Sequence, residues 1–293
     1  MNSYPQSSRR SFIKSSALTA LGLSAIAPAL HAAAKGQTKV GLVTYQWGKD
    51  WDLPTLIKNC ETAGLLGVEP RTTHSHAIEI PLNKTQRAEV KKRFADSPVT
   101  CVGLGSDERF DNPDPATLEK AVAQTKAFLD LSRDIGASGV KVKPNSFHKD
   151  VDKEKTLEQI GKTFREVAQY GADIGQEVRM EVHGQCAAPA IMAQIVQIAD
   201  HPNAKICWNC NPQDMEGDGF DHNLKLLRKA FGATCHIHEL DGTYKEYPYD
   251  KLFKNFASTG YNGWCLFETS TKPADRIKAM TKNRQLFDKM IAS

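Results

Sequence analysis

Apolar and polar positions along this chain follow two periods in turn. Short apolar runs of strand character fall at residues 39–45, 67–71, 99–104, 139–143, 177–183, 205–209, 234–239 and 263–268. Between them lie stretches whose apolar residues recur at helical spacing: 52–63, 84–94, 115–135, 153–174, 188–199, 221–231, 249–258 and 273–290. Local chemistry agrees, since Asp52 stands where a helix needs an N-terminal acceptor and Gly136 where one needs a left-handed stop. Strand followed by helix, eight times in order, predicts an α/β fold of the (β/α)8 TIM-barrel type in one domain. A doubly wound nucleotide-binding sheet is disfavoured, because the first strand runs into Thr44-Tyr45-Gln46-Trp47 without a glycine-rich phosphate loop.

The first residues are set apart from the fold. Ser8-Arg9-Arg10-Ser11-Phe12-Ile13-Lys14 precedes a weakly apolar stretch from Ala17 to Leu30 and a small-x-small site ending at Ala32. That order resembles a twin-arginine export signal, so residues 1–32 read as a leader and 33–293 as the barrel. The expected partner at that end is the twin-arginine export machinery, and the expected location of the mature protein is the periplasm. No later run is apolar for long enough to suggest a stable membrane anchor.

Composition changes this picture little. Roughly 260 residues after the leader suit a single large domain. A formal net charge of +4, partly from the leader, comes without a basic run interleaved with aromatics, so no nucleic-acid partner is expected. The 7 cysteines are odd in number and lie mostly in apolar runs, which suggests buried free thiols. Cys207 and Cys210 form a C-x-x-C, but no second pair stands at zinc-ribbon spacing.

The informative chemistry lies where the strands end. Glu69/Arg71, Lys141/Lys143, Glu181/His183, Asn209/Asn211 and His236/His238 are pairs two residues apart, with Glu268 alone on the last strand. Residues i and i+2 share one strand face, and burying such pairs without a partner or an ion is costly. In a TIM barrel these ends form the functional face. Glu181, Asn209, His238 and Glu268, one from each of the last four strands, would make a mostly oxygen site for a divalent ion. Manganese is favoured, with cobalt, magnesium or zinc as alternatives. His236 shares a face with His238 and is the alternative to Asn209 for the fourth position.

Three runs carry a family resemblance: Met180-Glu181-Val182-His183, His236-Ile237-His238-Glu239-Leu240-Asp241 and Phe267-Glu268-Thr269. They resemble the xylose-isomerase-like sugar isomerase/epimerase superfamily, and the early run from Val68 to His76 resembles a branch often carrying export signals. The resemblance implies a metal-dependent barrel that removes a proton next to a carbonyl. By position it makes Glu181 and Glu268 the catalytic, metal-bound glutamates, His238 the ligand histidine and His183 a substrate contact. Asn209 departs from the family, which commonly has aspartate there, and supplies one negative charge fewer.

Around this centre the substrate pocket is expected to draw on Lys141, Lys143, Arg71, His76, Asn211 and His236, with Trp47 offering an apolar face to a sugar ring. Lys141 is expected deeper, paired with Glu69 or Glu181, and Lys143 nearer the pocket. The expected substrate is a non-phosphorylated sugar, ketosugar or 3-keto-glycoside reacting through an enediolate. Epimerisation, isomerisation and β-elimination stay open, as do a non-catalytic sugar-binding barrel and homo-oligomerisation.

Overall fold

The computed structural model of the chain describes residues 38–242 and 246–292. The leader and cleavage site read at residues 1–32 lie outside the described residues. Among the described residues nine strands and eight α-helices follow in alternation, except that two strands precede the third helix. They are β1 (Lys39–Val43), α1 (Leu53–Ala63), β2 (Gly67–Glu69), α2 (Lys84–Ala95), β3 (Thr100–Cys101), β4 (Leu104–Arg109), α3 (Pro115–Asp134), β5 (Gly139–Lys143) and α4 (Lys153–Asp173). The second half comprises β6 (Glu177–Glu181), α5 (Pro189–Ala199), β7 (Ala204–Cys207), α6 (Phe220–Leu227), β8 (Thr234–Ile237), α7 (Tyr249–Ser258), β9 (Trp264–Phe267) and α8 (Arg276–Ile291). No helix among the described residues is long and apolar enough to cross a membrane.

All strand pairings are parallel and form two runs, β3-β2-β1-β9-β8 and β4-β5-β6-β7. Parallel bridges Arg71↔Gly105 and Asn209↔His236 close the two seams, so the sheet returns on itself as a barrel. β3 and β4 are two pieces of one stave, the third. The expected third strand at 99–104 therefore stops short of the observed one. Ladder bonds from Val102 N to Val68 O (2.9 Å) and from Gly105 N to Pro70 O (2.8 Å) carry the stave across the break. At the break a Cβ on Gly103 would stand 2.6 Å from the Arg179 guanidinium, so glycine lets that buried side chain through.

The helices begin where short acceptors allow. Asp52, Asn83, Asp114, Asp152 and Asp275 each take a backbone N–H of the first turn, and Asn83 with Gln86 completes a reciprocal capping box. Gly64 ends α1 at φ 72°, a conformation that favours glycine. The main core lies between staves and helices: Leu42, Val68, Val140, Val178, Met180, Ile206 and Phe267 pack outward onto Leu56, Phe128, Ile160, Phe164, Ile195, Leu252 and Phe253. Each such side chain contributes on the order of 1.5–3 kcal/mol by leaving water.

Inside the barrel the filling differs by level. Val43, Val102 and Leu266 make a small apolar plug with Trp264 against it, and Gly67 leaves the room that the Trp264 ring fills, 2.3 Å from where a Cβ would lie. Above that plug the lumen is polar. Its contacts reach between staves that are not neighbours, as when Glu69 of β2 meets His236 of β8.

Under the loop after β7 a buried carboxyl, Asp214, accepts from Tyr247 Oη (2.6 Å) and Asn211 N (3.0 Å), while Trp208 Nε1 donates to Tyr247 Oη (3.0 Å). Burial pushes the Asp214 pKa up to about 7, against the opposing pull of its hydrogen bonds. A folded-state pKa raised this way contributes stability that is whole below the unfolded value of 3.8 and is lost as pH rises through about 7. Asp214→Asn should therefore gain on wild type between pH 5 and pH 8, by an amount on the order of a few kcal/mol, in urea unfolding. An equal difference at both pH values would show that the carboxyl ionises freely in the fold.

Candidate metal centre

Glu181 is the last residue of β6, Glu268 follows β9, and His236 lies within β8. Their ligand atoms all lie within 4.8 Å of one another. His236 Nδ1 is 3.4 Å from Glu181 Oε1 and 3.5 Å from Glu268 Oε2. Asn209 joins them by donating from Nδ2 to Glu181 Oε1 (3.0 Å) and Glu268 Oε2 (3.5 Å). The centre thus stands at the C-terminal ends of the staves, the face where barrel chemistry is built.

The surroundings are charged and almost dry. Lys141 Nζ, fully buried, sits 2.8 Å from Glu181 Oε2 and donates to Ser106 O (3.1 Å). Glu69, equally buried, places Oε1 3.1 Å from His236 Nε2. Arg71 Nη1 lies 3.8 Å from Glu268 Oε1, and its guanidinium stacks 4.9 Å over the Tyr45 ring. Burial pushes the Glu181 pKa up, but the Lys141 ammonium and then His236 outweigh it and hold the carboxyl well below the usual range. Burial and the Glu181 charge raise Glu268, and His236 and Lys141 bring it below its ordinary value. Burial also pulls His236 down, while Cys207, Glu69 and Glu268 carry it well above an ordinary histidine.

The sequence-derived residues sort into three groups. Glu181, Asn209 and Glu268 come together as expected from their strand ends, and His236 completes the cluster in place of His238. His238 is one step beyond β8, with Nδ1 2.9 Å from the Glu268 backbone oxygen and its own N–H donated to Tyr249 Oη (3.0 Å). The cause is stagger at the β7–β8 seam, where Asn209 is bridged to His236. Lys141, Lys143, Arg71 and His183 line the same mouth. Lys143 pairs with Asp107 Oδ1 at 2.8 Å, and His183 Nδ1 is 3.0 Å from Asn145 Oδ1.

The remaining three residues have other work. Trp47 is 1 % exposed, with Nε1 donating to Thr271 Oγ1 (3.2 Å), so its ring packs in the core and offers no face to a sugar. His76 is buried with both nitrogens on the backbone, Nδ1 accepting from Ile78 N (3.1 Å) and Nε2 donating to Arg71 O (2.8 Å). Burial lowers its pKa to about 4, and it props the loop after β2. Asn211 donates to Val182 O (2.7 Å) and ties two staves together. Two further carboxylates stand at the site: Glu69, expected from sequence only as a strand-end partner for Lys141, and Asp107, which carried no strand-end signal. Glu69 carried a signal, its position two residues before Arg71 on a strand end.

A divalent cation fits this centre. His236 Nδ1, Asn209 Oδ1 and Glu181 Oε2 are buried without a hydrogen-bond partner, although Glu181 Oε2 keeps its ion pair with Lys141. Buried polar atoms left so are costly, and two carboxylates, an imidazole and an amide oxygen are the donors that manganese, cobalt or zinc accept. All seven cysteines, Cys207 and Cys210 among them, are buried free thiols.

The family model described as Xylose isomerase-like TIM barrel matches residues 57–290. No curated protein sequence matches the chain. Among solved structures, 3-keto-D-glucoside 4-epimerase YcjR from E. coli is similar at TM-score 0.73 and 14 % identity, covering 86 % of this chain and 100 % of that one. D-psicose 3-epimerase from Clostridium cellulolyticum, solved with D-tagatose, gives TM-score 0.71 at 18 % identity over 87 % of this chain and 98 % of its own. The IOLI protein, solved with a binding zinc atom, gives 0.72 at 14 % over 87 % and 98 %. At these identities the likeness is one of fold.

Lys141 and Glu181 neutralise each other out of reach of solvent, so removing one leaves a buried charge without its main counter-charge. Lys141→Met or Glu181→Gln alone should cost about 3–5 kcal/mol in denaturant unfolding, and the double variant clearly less than the sum. Strict additivity in that cycle would mean the two charges do not depend on each other.

Proposed function

The chain belongs to the xylose isomerase-like TIM barrel family, and from that premise we propose that it is a metal-dependent sugar epimerase or isomerase. The observation that carries this reading is the convergence of Glu181, His236 and Glu268 within 4.8 Å at the mouth of the barrel. The proposed substrate is a non-phosphorylated ketosugar or 3-keto-glycoside. The leader read from the sequence supports that choice, since it would export the protein to the periplasm, where free sugar phosphates are scarce.

The proposed holders of the ion are Glu181, His236 and Glu268, with Asn209 Oδ1 as a fourth donor. Bound there, a divalent ion supplies Lewis acidity toward a carbonyl and its neighbouring hydroxyl. The two carboxylates differ in access: the Glu181 side chain is 1 % exposed and locked to Lys141, whereas that of Glu268 is 13 % exposed and only loosely met by Arg71. Glu268 is accordingly the carboxylate better placed to take a proton from the carbon next to the carbonyl. Glu181 holds its charge and orients the opposite side. Lys143 and Arg71 stand where negative charge develops on the substrate oxygens, and Asp107 keeps the Lys143 ammonium in place.

Incubation with Mn²⁺ in deuterium oxide tests the reading. Deuterium should enter next to the carbonyl of a ketohexose or a 3-keto-glycoside with metal and not with chelator. The product distinguishes inversion or carbonyl migration from loss of a β-substituent. Sugar binding without any exchange would favour a binding barrel, the alternative to which the neutral Asn209 lends weight.

Asn209 offers a sharper test of the ligand set. Asn209→Asp should tighten Mn²⁺ binding on the order of tenfold (~1.4 kcal/mol). The same change should destabilise the metal-free protein by about 1–3 kcal/mol, because a third carboxylate replaces a donor shared by two. Titration calorimetry and denaturant unfolding read the two effects separately, and no change in either would make Asn209 a bystander.

A further inference from the structure

Glu69 lies opposite the candidate centre, on β2, and makes no contact with the Glu181–Glu268 pair that the structure records. It reaches across the lumen to one partner, with Oε1 3.1 Å from His236 Nε2, both side chains wholly excluded from solvent. The other nitrogen, Nδ1, faces Glu181 and Glu268 at 3.4 and 3.5 Å and has no hydrogen-bond partner. Space for this contact depends on Gly105 across the seam, where a Cβ would stand 3.0 Å from Glu69 Oε1.

We propose that Glu69 is a positioning residue that fixes the tautomer and ring orientation of His236, so that Nδ1 presents its lone pair to the cation. A neutral imidazole has one N–H and one lone pair, and only the lone pair binds a metal. With a carboxylate oxygen at Nε2, the proton belongs on that nitrogen. The opposite tautomer would set two lone pairs against each other in a dry site and turn an N–H toward the ion. The carboxylate also makes the imidazole a more basic ligand. The contact spans the barrel from β2 to β8, so it also sets how deep the ring sits below the mouth.

The inference rests on the proposed metal reading, and the test separates the two. In zinc-loaded wild-type protein, long-range ¹H–¹⁵N spectra of His236 should show a proton on Nε2 and none on Nδ1. Glu69→Met removes the acceptor at similar volume and should weaken Mn²⁺ binding ten- to a hundredfold, the range for loss of a carboxylate behind a metal-bound histidine. Glu69→Gln keeps an acceptor oxygen and should recover most of that loss. A proton on Nδ1 of His236, or wild-type Mn²⁺ affinity in a folded Glu69→Met, would overturn the inference. Should Glu69→Met fail to fold, the wild-type spectrum and Glu69→Gln still decide. A wild-type protein that binds neither ion overturns instead the metal reading beneath it.

Discussion

Three carboxylates gathered at one level of a parallel barrel, Glu69 and Glu181 buried and Glu268 nearly so, would repel one another unless positive charge is built in beside them. Everything else at the mouth of this molecule follows from that constraint. Lys141 lies 2.8 Å from Glu181, His236 sits among Glu69, Glu181 and Glu268, and Arg71 stands at 3.8 Å from Glu268. A pair held this way contributes little net stability by itself, yet losing one member is expensive. The stability of the fold comes from the apolar shell between staves and helices, while the lumen confers a specific arrangement of charge.

That arrangement depends on backbone details well below it. The apolar plug of Val43, Val102 and Leu266 closes the lower lumen, and Gly67 makes room for the Trp264 ring. Arg179 is buried with its guanidinium spent on Glu177 Oε2 (2.7 Å), Ser138 Oγ (2.6 Å) and Val102 O (3.2 Å). It therefore adds no unpaired charge to the level above. The break between β3 and β4 falls beside it, and Gly105 on β4 lies close against Glu69 and Arg71. Each feature bears on function only through where it sets a carboxylate or an imidazole.

Much of this was legible in the order of residues. Eight strand–helix periods indicated the barrel, and Glu181, Asn209 and Glu268 declared themselves as polar residues ending apolar strands. The choice between His236 and His238 did not. Both share a face, and counting from strand ends assumes level staves, whereas a closed barrel is staggered and bridges His236 to Asn209. Trp47 and His76 misled for a related reason: a residue in the loop after a strand can turn into the mouth or under the loop, and side-chain type does not say which. The Thr271 hydroxyl and the Ile78 and Arg71 backbone, which claim those two side chains, are distant or generic in sequence. Glu69 was visible as a strand-end carboxylate, but its partner stands 167 residues away across the lumen.

The central claim is that two glutamates and His236 form one cation site at the barrel mouth. Diffraction from crystals grown with Mn²⁺, recorded at the manganese absorption edge, measures it directly. The account predicts a single anomalous peak bounded by a carboxylate oxygen of Glu181, one of Glu268 and Nδ1 of His236, within bonding range of 2.0–2.3 Å, about the span seen for divalent ions with such ligands. A peak bound through His238 and out of reach of His236, or no peak at the mouth while the protein holds Mn²⁺ elsewhere, would contradict it.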